Sequence, residues 1–187
     1  MNRRIFWSAV LLLLAGSIIE SKAQSGKKYP YVLEGKYIVS RDATGGANSA
    51  CIHPNWKSSD MYTHSESSAE NRVAAKFEVA DANAVSAANW DETKTICAAY
   101  TQPGTSAGDW RLPTQRELML VWVMYSQNSL TGVANLPTGR YWSATHYSQS
   151  SNSAWTVSFA GTDDGRTYQF YKYESGGARV RCVRDVE

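Results

Sequence analysis

Tyr31 to Asp42 (YVLEGKYIVSRD), rich in β-prone apolar residues, reads as strand material, and the ATGG that follows reads as a turn. From Gly45 to Asn71 the chain is rich in Ser, Asn, Gly and His with little period, the pattern of a long loop. RVAAKFEVA, Arg72 to Ala80, alternates enough to be a strand. Then the period changes. Asn89 and Glu92 stand three apart, as a capping box requires, and Trp90, Thr93, Cys97 and Tyr100 or Thr101 fall near one helical face. A second helix begins inside GDWRLPTQRELMLVW, Gly108 to Trp122. Thr114 is its N-cap and Glu117 the reciprocal acid, while Pro113 favours an extended entry. Leu118, Val121, Trp122 and Tyr125 make its buried face.

The remaining third reads as β-structure. RYWSAT (Arg140 to Thr145) is a short strand. In AWTVSF (Ala154 to Phe159), Trp155, Val157 and Phe159 share a face that should meet the core. AGTDDG turns the chain, and RTYQFYKY (Arg166 to Tyr173) returns it as a hairpin, with the partners of Trp155, Val157 and Phe159 also facing inward. After ESGG the last strand is ARVRCVRD, Ala178 to Asp185, with Val180 and Cys182 on one face. Strands, two helices and an antiparallel meander make an α+β domain. No internal repeat or long linker divides it.

Residues 1–23 stand apart from this pattern. Arg3 and Arg4 precede an apolar run from Ile5 to Ile19, and Ser21-Lys22-Ala23 gives a small-x-small cleavage site before Gln24. That is a secretory signal peptide, too short for a transmembrane anchor. The segment from 24 to 71 is then an N-terminal strand and long loop, and 72–187 the main body of one globular unit. Export to the periplasm, cell surface or extracellular space follows, with no membrane insertion after cleavage. Removing Arg3, Arg4, Lys22 and Glu20 from 19 basic and 17 acidic residues leaves 16 of each. That balance argues against a nucleic-acid partner.

Export makes a disulfide the expected state of two of the three cysteines, Cys51, Cys97 and Cys182. No CxxC pair exists and His53, His64 and His146 are scattered, so zinc is a poor fit. Cys51 and His53 lie close in sequence, but no third group orients the base for nucleophilic catalysis. Seven Trp and 11 Tyr against 4 Phe suit a recognition surface, because each carries an apolar body and a polar handle.

WRLPTQREL, YWSAT, AWTVSF and a closing VRCVRD, in that order, resemble a family of secreted bacterial domains. It is the family named for the C-terminal domain of the Legionella collagen-like adhesin, common in surface proteins of Bacteroidetes. It belongs to the wider C-type lectin fold group, with the formylglycine-generating sulfatase-modifying enzymes. The resemblance spans about residues 72–185. It implies a C-type-lectin-like domain, two helices flanking a small twisted antiparallel sheet, and a bridge from the first helix to the last strand that carries onto Cys97 and Cys182. It also implies that Trp110 and Arg111, which capping does not explain, are structural. Trp110 would be buried under the sheet and Arg111 held by a carboxylate or carbonyls near the last strand. Calcium-dependent lectins need a Glu-Pro-Asn or Gln-Pro-Asp loop and a Trp-Asn-Asp triplet. This chain has only QPG at Gln102, and Asp163-Asp164 reads first as a hairpin turn, so no metal is expected. The related enzymes use paired late cysteines, whereas Cys182 is the one late cysteine here. The fold therefore imports no catalysis, and no cofactor is expected.

The expectation is a non-enzymatic adhesion module that recognises a glycan or protein through its loop-rich C-terminal face. A structural or tip subunit among other surface-assembly subunits is the alternative, as is an enzyme with an unrecognised site. From THYSQSSNSAW to TYQFYKY the chain mixes Tyr, Ser, Asn, Gln and His with little charge, as paratopes do. The candidate binding residues are His146, Tyr147, Gln149, Asn152, Arg166, Tyr168, Tyr171 and Tyr173. Gln169, Tyr171 and Tyr173 alternate away from Phe170, so Tyr171 and Tyr173 should form an exposed stacking platform.

Overall fold

The computed structural model describes residues 29–40, 73–134, 136–147, 149–159, 165–174 and 176–186. The leader, the loop from 45 to 71, Cys51 and the Asp163-Asp164 pair lie outside them. The segment from Tyr31 is a hairpin rather than one strand: β1 (Tyr31–Leu33) pairs antiparallel with β2 (Tyr37–Val39). Glu34 and Gly35 both take positive φ, 49° and 70°, and Lys36 N–H donates to Leu33 O at 3.1 Å. Two successive left-handed residues match the twist of a tight hairpin. A Glu at the first of them gives little turn signal, so the reversal is hidden in the strand-like composition on either side.

β3 (Lys76–Val79) is shorter than its alternating run, and β4 (Val85–Ala88) is made of residues too small to show a strand pattern. Next comes α1 (Trp90–Ala99), with a capping box at Asn89: Glu92 N–H donates to Asn89 Oδ1 (3.0 Å), and Asn89 N–H to the Glu92 carboxylate (3.4 Å). Trp90, Thr93 and Cys97 form its buried face. α2 (Gln115–Ser126) has the same device at Thr114. Its buried face is rotated from the expected one: Leu118, Leu120, Val121 and Met124 are buried, whereas Trp122 and Tyr125 are only half-buried. The helix is covered on more than one side, so a single 3.6-residue stripe misplaces the edge.

The last third supplies β5 (Arg140–His146), β6 (Ser153–Ser158), β7 (Thr167–Tyr171), β8 (Ala178–Val180) and β9 (Val183–Asp185). β5, β6 and β7 are the expected antiparallel meander. The closing segment is not one strand. β8 and β9 lie in different sheets, one ordered β1-β2-β3-β9 and the other β4-β8-β5-β6-β7. β8 also runs parallel to β5, so the second sheet is mixed rather than antiparallel. The break falls at Arg181 and Cys182, where four consecutive residues from Val180 to Val183 are buried. A chain crossing between two sheets is covered on both faces, and alternation cannot report that.

The architecture is therefore α+β: among the described residues, two helices on two sheets, with two cores. An aliphatic core gathers Ile38, Phe77, Leu118, Val121, Tyr141, Val157 and Val183 around α2. A second gathers Trp90, Trp110, Trp142, Ala154, Val180 and the two cysteines around α1. Its tryptophans are satisfied: Trp90 Nε1–H donates to Ser143 O (2.7 Å) and Trp142 Nε1–H to Ala88 O (2.8 Å). Cys97 and Cys182 are bonded, with Cα atoms 5.5 Å apart and a sequence separation of 85. The bridge fixes α1 to the point where the chain changes sheets. Chain entropy for a loop of that length gives roughly 4–5 kcal/mol as an upper figure. Peptide mapping without reductant should recover a Cys97–Cys182 peptide, and Cys97→Ala with Cys182→Ala should shift the denaturation midpoint downward. A Cys51–Cys182 peptide would contradict the pairing.

Candidate functional site

The run WRLPTQRE organises the base of the domain. Trp110 is 2% exposed, and its Nε1–H donates to Thr105 Oγ1 at 2.9 Å. Tyr100 packs edge-on against it, with ring centroids 5.3 Å apart. Arg111 pairs its backbone with β9: Arg111 N–H donates to Val183 O (2.8 Å) and Val183 N–H to Arg111 O (2.9 Å). Its guanidinium meets Glu117 through two nitrogens (2.7 and 2.8 Å) and reaches Asp185 on β9. Glu117 is fully buried and also accepts from Thr114 N–H and Ala74 N–H, both at 2.9 Å. Burial alone would lower the pKa of Arg111. The hydrogen bond and charge of Glu117, and then those of Asp185, more than reverse this and hold it above its ordinary value.

The expected binding residues divide between two faces of the second sheet. Register decides the division. Trp155 stands opposite Gln169, and Ser153 opposite Tyr171, so these four side chains share a face. Tyr171 and Tyr173 are 51% and 58% exposed. Tyr147 packs edge-on against Trp155 (5.3 Å) and its hydroxyl lies 3.1 Å from Gln149 Oε1. Tyr147, Gln149, Trp155, Gln169, Tyr171 and Tyr173 therefore make one uncharged, aromatic-rich surface. Trp155 was expected in the core with Val157 and Phe159. Those two are buried, but Trp155 is half-exposed because the helix packs over only one end of this face. Its hairpin partner Gln169 is exposed rather than inward-facing. The tyrosines are not a flat platform either, since the Tyr171 and Tyr173 rings meet at 69° with centroids 5.6 Å apart. They form a corner, one ring offering its face and the other its edge.

His146 and Tyr168 lie on the opposite face, with Ala154 and Thr156 as their partners. Tyr168 is half-buried under the Arg140 guanidinium, 4.8 Å from its ring. His146 is turned toward Trp90 (4.6 Å) and Lys172, whose Nζ is 2.8 Å from His146 Nδ1. Lys172 was missed by sequence reading. It is 4% exposed, donates to Ser151 O (2.7 Å) and sits 4.3 Å from the Trp90 ring. Only its alternation with Tyr171 and Tyr173 hinted at an inward position. Asn152 is exposed, and its carbonyl accepts from Lys172 N–H at 2.9 Å. Arg166 is exposed just before β7, away from the tyrosine corner. At the β7 entrance Gly165 (φ +77°) lies against Trp122, where a Cβ would come within 2.7 Å of the indole.

Residues 56–184 match the family model described as the Lcl C-terminal domain. The chain belongs to the Lcl C-terminal domain family. Membership points to a surface, adhesin-type module. No curated protein matches the chain. The WRLPTQRE run and the tyrosine surface both fall inside the Lcl match, as do both cysteines of the bridge. Among the described residues no helix is long and apolar enough to cross a membrane, and no three His, Cys, Asp or Glu side chains gather as metal ligands would. An open cavity of about 370 Å³ lies beside the end of α2, lined by Tyr125, Asn128, Leu130 and Val133 among others. None of the expected binding residues lines it.

Burial of Trp110 makes it scaffold in this Lcl domain. Trp110→Ala should destabilise the fold by roughly 3–5 kcal/mol in equilibrium denaturation. A variant that unfolds like wild type but loses ligand binding would move Trp110 from scaffold to site.

Proposed function

We propose that this Lcl domain is an exported, non-catalytic adhesion module that holds a glycan or protein ligand on the face carrying Tyr147, Trp155, Gln169, Tyr171 and Tyr173. The carrying observation is the exposed aromatic corner made by Tyr171, which ends the uncharged strand β7, and Tyr173 just beyond it. Aromatic side chains offer large, stiff contact area at small conformational cost, and the neighbouring amides of Gln149 and Gln169 can adapt their hydrogen bonds. A sugar ring or an apolar side chain fits such a corner, with one flat wall beneath it and one edge beside it. The secretory leader, the disulfide and the surface character of the Lcl family support export. The C-type-lectin-like reading of the architecture is part of the same proposal.

Absence of catalysis rests on the chemistry of this face, whose side chains are phenols, amides and an indole. The nearest acid–base pair, His146 with Lys172, is on the other side of the sheet and enclosed by Trp90 and Ser151. Subunit-like behaviour within a surface assembly is the second reading, favoured by the open edge of β7.

An array of glycans and extracellular-matrix proteins tests the proposal. The wild-type chain should bind a subset of them. Tyr171→Ala with Tyr173→Ala should weaken that binding about tenfold or more, as loss of central aromatic contacts does, with an unchanged melting temperature. A melting temperature several degrees lower would make the tyrosines core residues. Full binding by the double variant would remove this face from the site.

A further inference from the structure

We infer that β7 is a strand-addition edge that pairs with β7 of a second copy of this chain, joining two five-stranded sheets into one. β7 ends its sheet. Edge strands expose unpaired backbone groups, and proteins blunt them with charge, proline, bulges, short length or cover. The other edges carry such devices. β1 is three residues long and follows Pro30, β4 pairs through an irregular register, and the outer side of β9 is occupied by Arg111. β7 is five residues, Thr-Tyr-Gln-Phe-Tyr, with no charge and no proline, in an unbroken five-pair register with β6.

The backbone groups that point outward can be named. Ser158 N–H donates to Arg166 O, and Lys172 N–H to Asn152 O, both at 2.9 Å. Even-numbered residues therefore direct their backbone groups at β6, and Thr167, Gln169 and Tyr171 direct theirs away. Among the described residues the one partner on that side is Glu174 N–H, which donates to Tyr171 O at 3.2 Å. That carbonyl keeps a second lone pair.

This edge is self-complementary. With two copies antiparallel and Gln169 on the two-fold axis, each Gln169 exchanges both backbone hydrogen bonds with its equivalent. Thr167 of each copy does the same with Tyr171 of the other. The side chains agree with that register. Tyr168 comes opposite Phe170 of the second copy, an aromatic cross-strand pair beside Arg140, whose guanidinium already lies 4.8 and 5.2 Å from those two rings within its own chain. Arg166 falls opposite Lys172, but the Lys172 ammonium is drawn inward to Ser151 and His146, so no two cations meet at the surface. An isologous contact of this kind closes as a dimer. It also places two tyrosine corners on one continuous sheet face, so a surface-bound ligand would be held bivalently.

The test is light-scattering mass and amide hydrogen exchange of the exported chain over a range of concentrations. The proposal expects a mass that rises to twice the monomer, with protection of the Thr167, Gln169 and Tyr171 amides that grows with it. Gln169→Pro removes an outward N–H without touching the β6 ladder, and Gln169→Lys puts two cations on the axis. Each should return the mass to monomer while the dilute protein keeps its melting temperature, and the pair covers the failure of either one to fold. A monomer at every concentration would overturn the proposal, whether those amides exchange freely or are covered by the chain's own residues. A dimer that survives both substitutions would overturn it as well.

Discussion

A buried carboxylate sets the terms for this fold. Glu117 has no contact with water, and an ion in that position is costly unless donors surround it. Four donors do: two guanidinium nitrogens of Arg111, the N–H of Thr114 and the N–H of Ala74. They come from two segments, and Arg111 ties in a third. Thr114 begins α2, Ala74 leads into β3, and Arg111 is paired with β9 through Val183 and Asp185. One side chain thus requires the helix start, the first sheet and the end of the chain to converge. The Trp-Arg-Leu-Pro-Thr sequence before the helix has this physical reason: Arg111 answers Glu117, and Trp110 and Leu112 on either side of it are buried.

Two further ties work on the same base. Glu78 on β3 is also fully buried and is met by Lys36 at 2.8 Å, by Arg184 and by Gln102 Nε2 at 3.2 Å. The disulfide holds α1 to the crossing between sheets. Neither these ties nor the Glu117 network reaches β7. The hairpin of β6 and β7 extends from a fixed base, its outer strand laddered among the described residues only to β6, with Gln169, Tyr171 and Tyr173 exposed on its aromatic face. Scaffold and candidate site are therefore separate in space, which leaves the exposed residues of the outer hairpin, Gln169, Tyr171 and Tyr173, open to change without loss of the fold.

Local chemistry made the helices legible in sequence. A capping box needs only residues three apart, so Asn89 with Glu92 and Thr114 with Glu117 could be read directly. Alternation correctly set Tyr171 and Tyr173 opposite Phe170. What it could not supply was how far each face is covered: the helix stops short of Trp155 and leaves it half-exposed, and His146 is turned toward Trp90 and Lys172. Alternation also fails where both faces are covered, which is why β8 and β9 read as one strand. Buried cations were the least visible feature. Arg181 is 1% exposed, its pKa lowered by burial, and it donates to Ala80 O at 2.8 Å. Lys172 depends on an imidazole, a carbonyl and an indole distant in sequence. No local pattern announces partners of that kind.

The dependence of the fold on Glu117 can be measured by a double-mutant cycle in equilibrium denaturation, using Arg111→Met, Glu117→Gln and the pair together. Removing the charge of either residue alone leaves its partner facing an uncompensated site, so each single change should be costly. The pair should cost less than the two singles added, with a coupling of about 1 kcal/mol or more, in the range of groups that share one network. Additive costs, equal to within a few tenths of a kcal/mol, would show that the two residues act separately and that the fold does not turn on their contact.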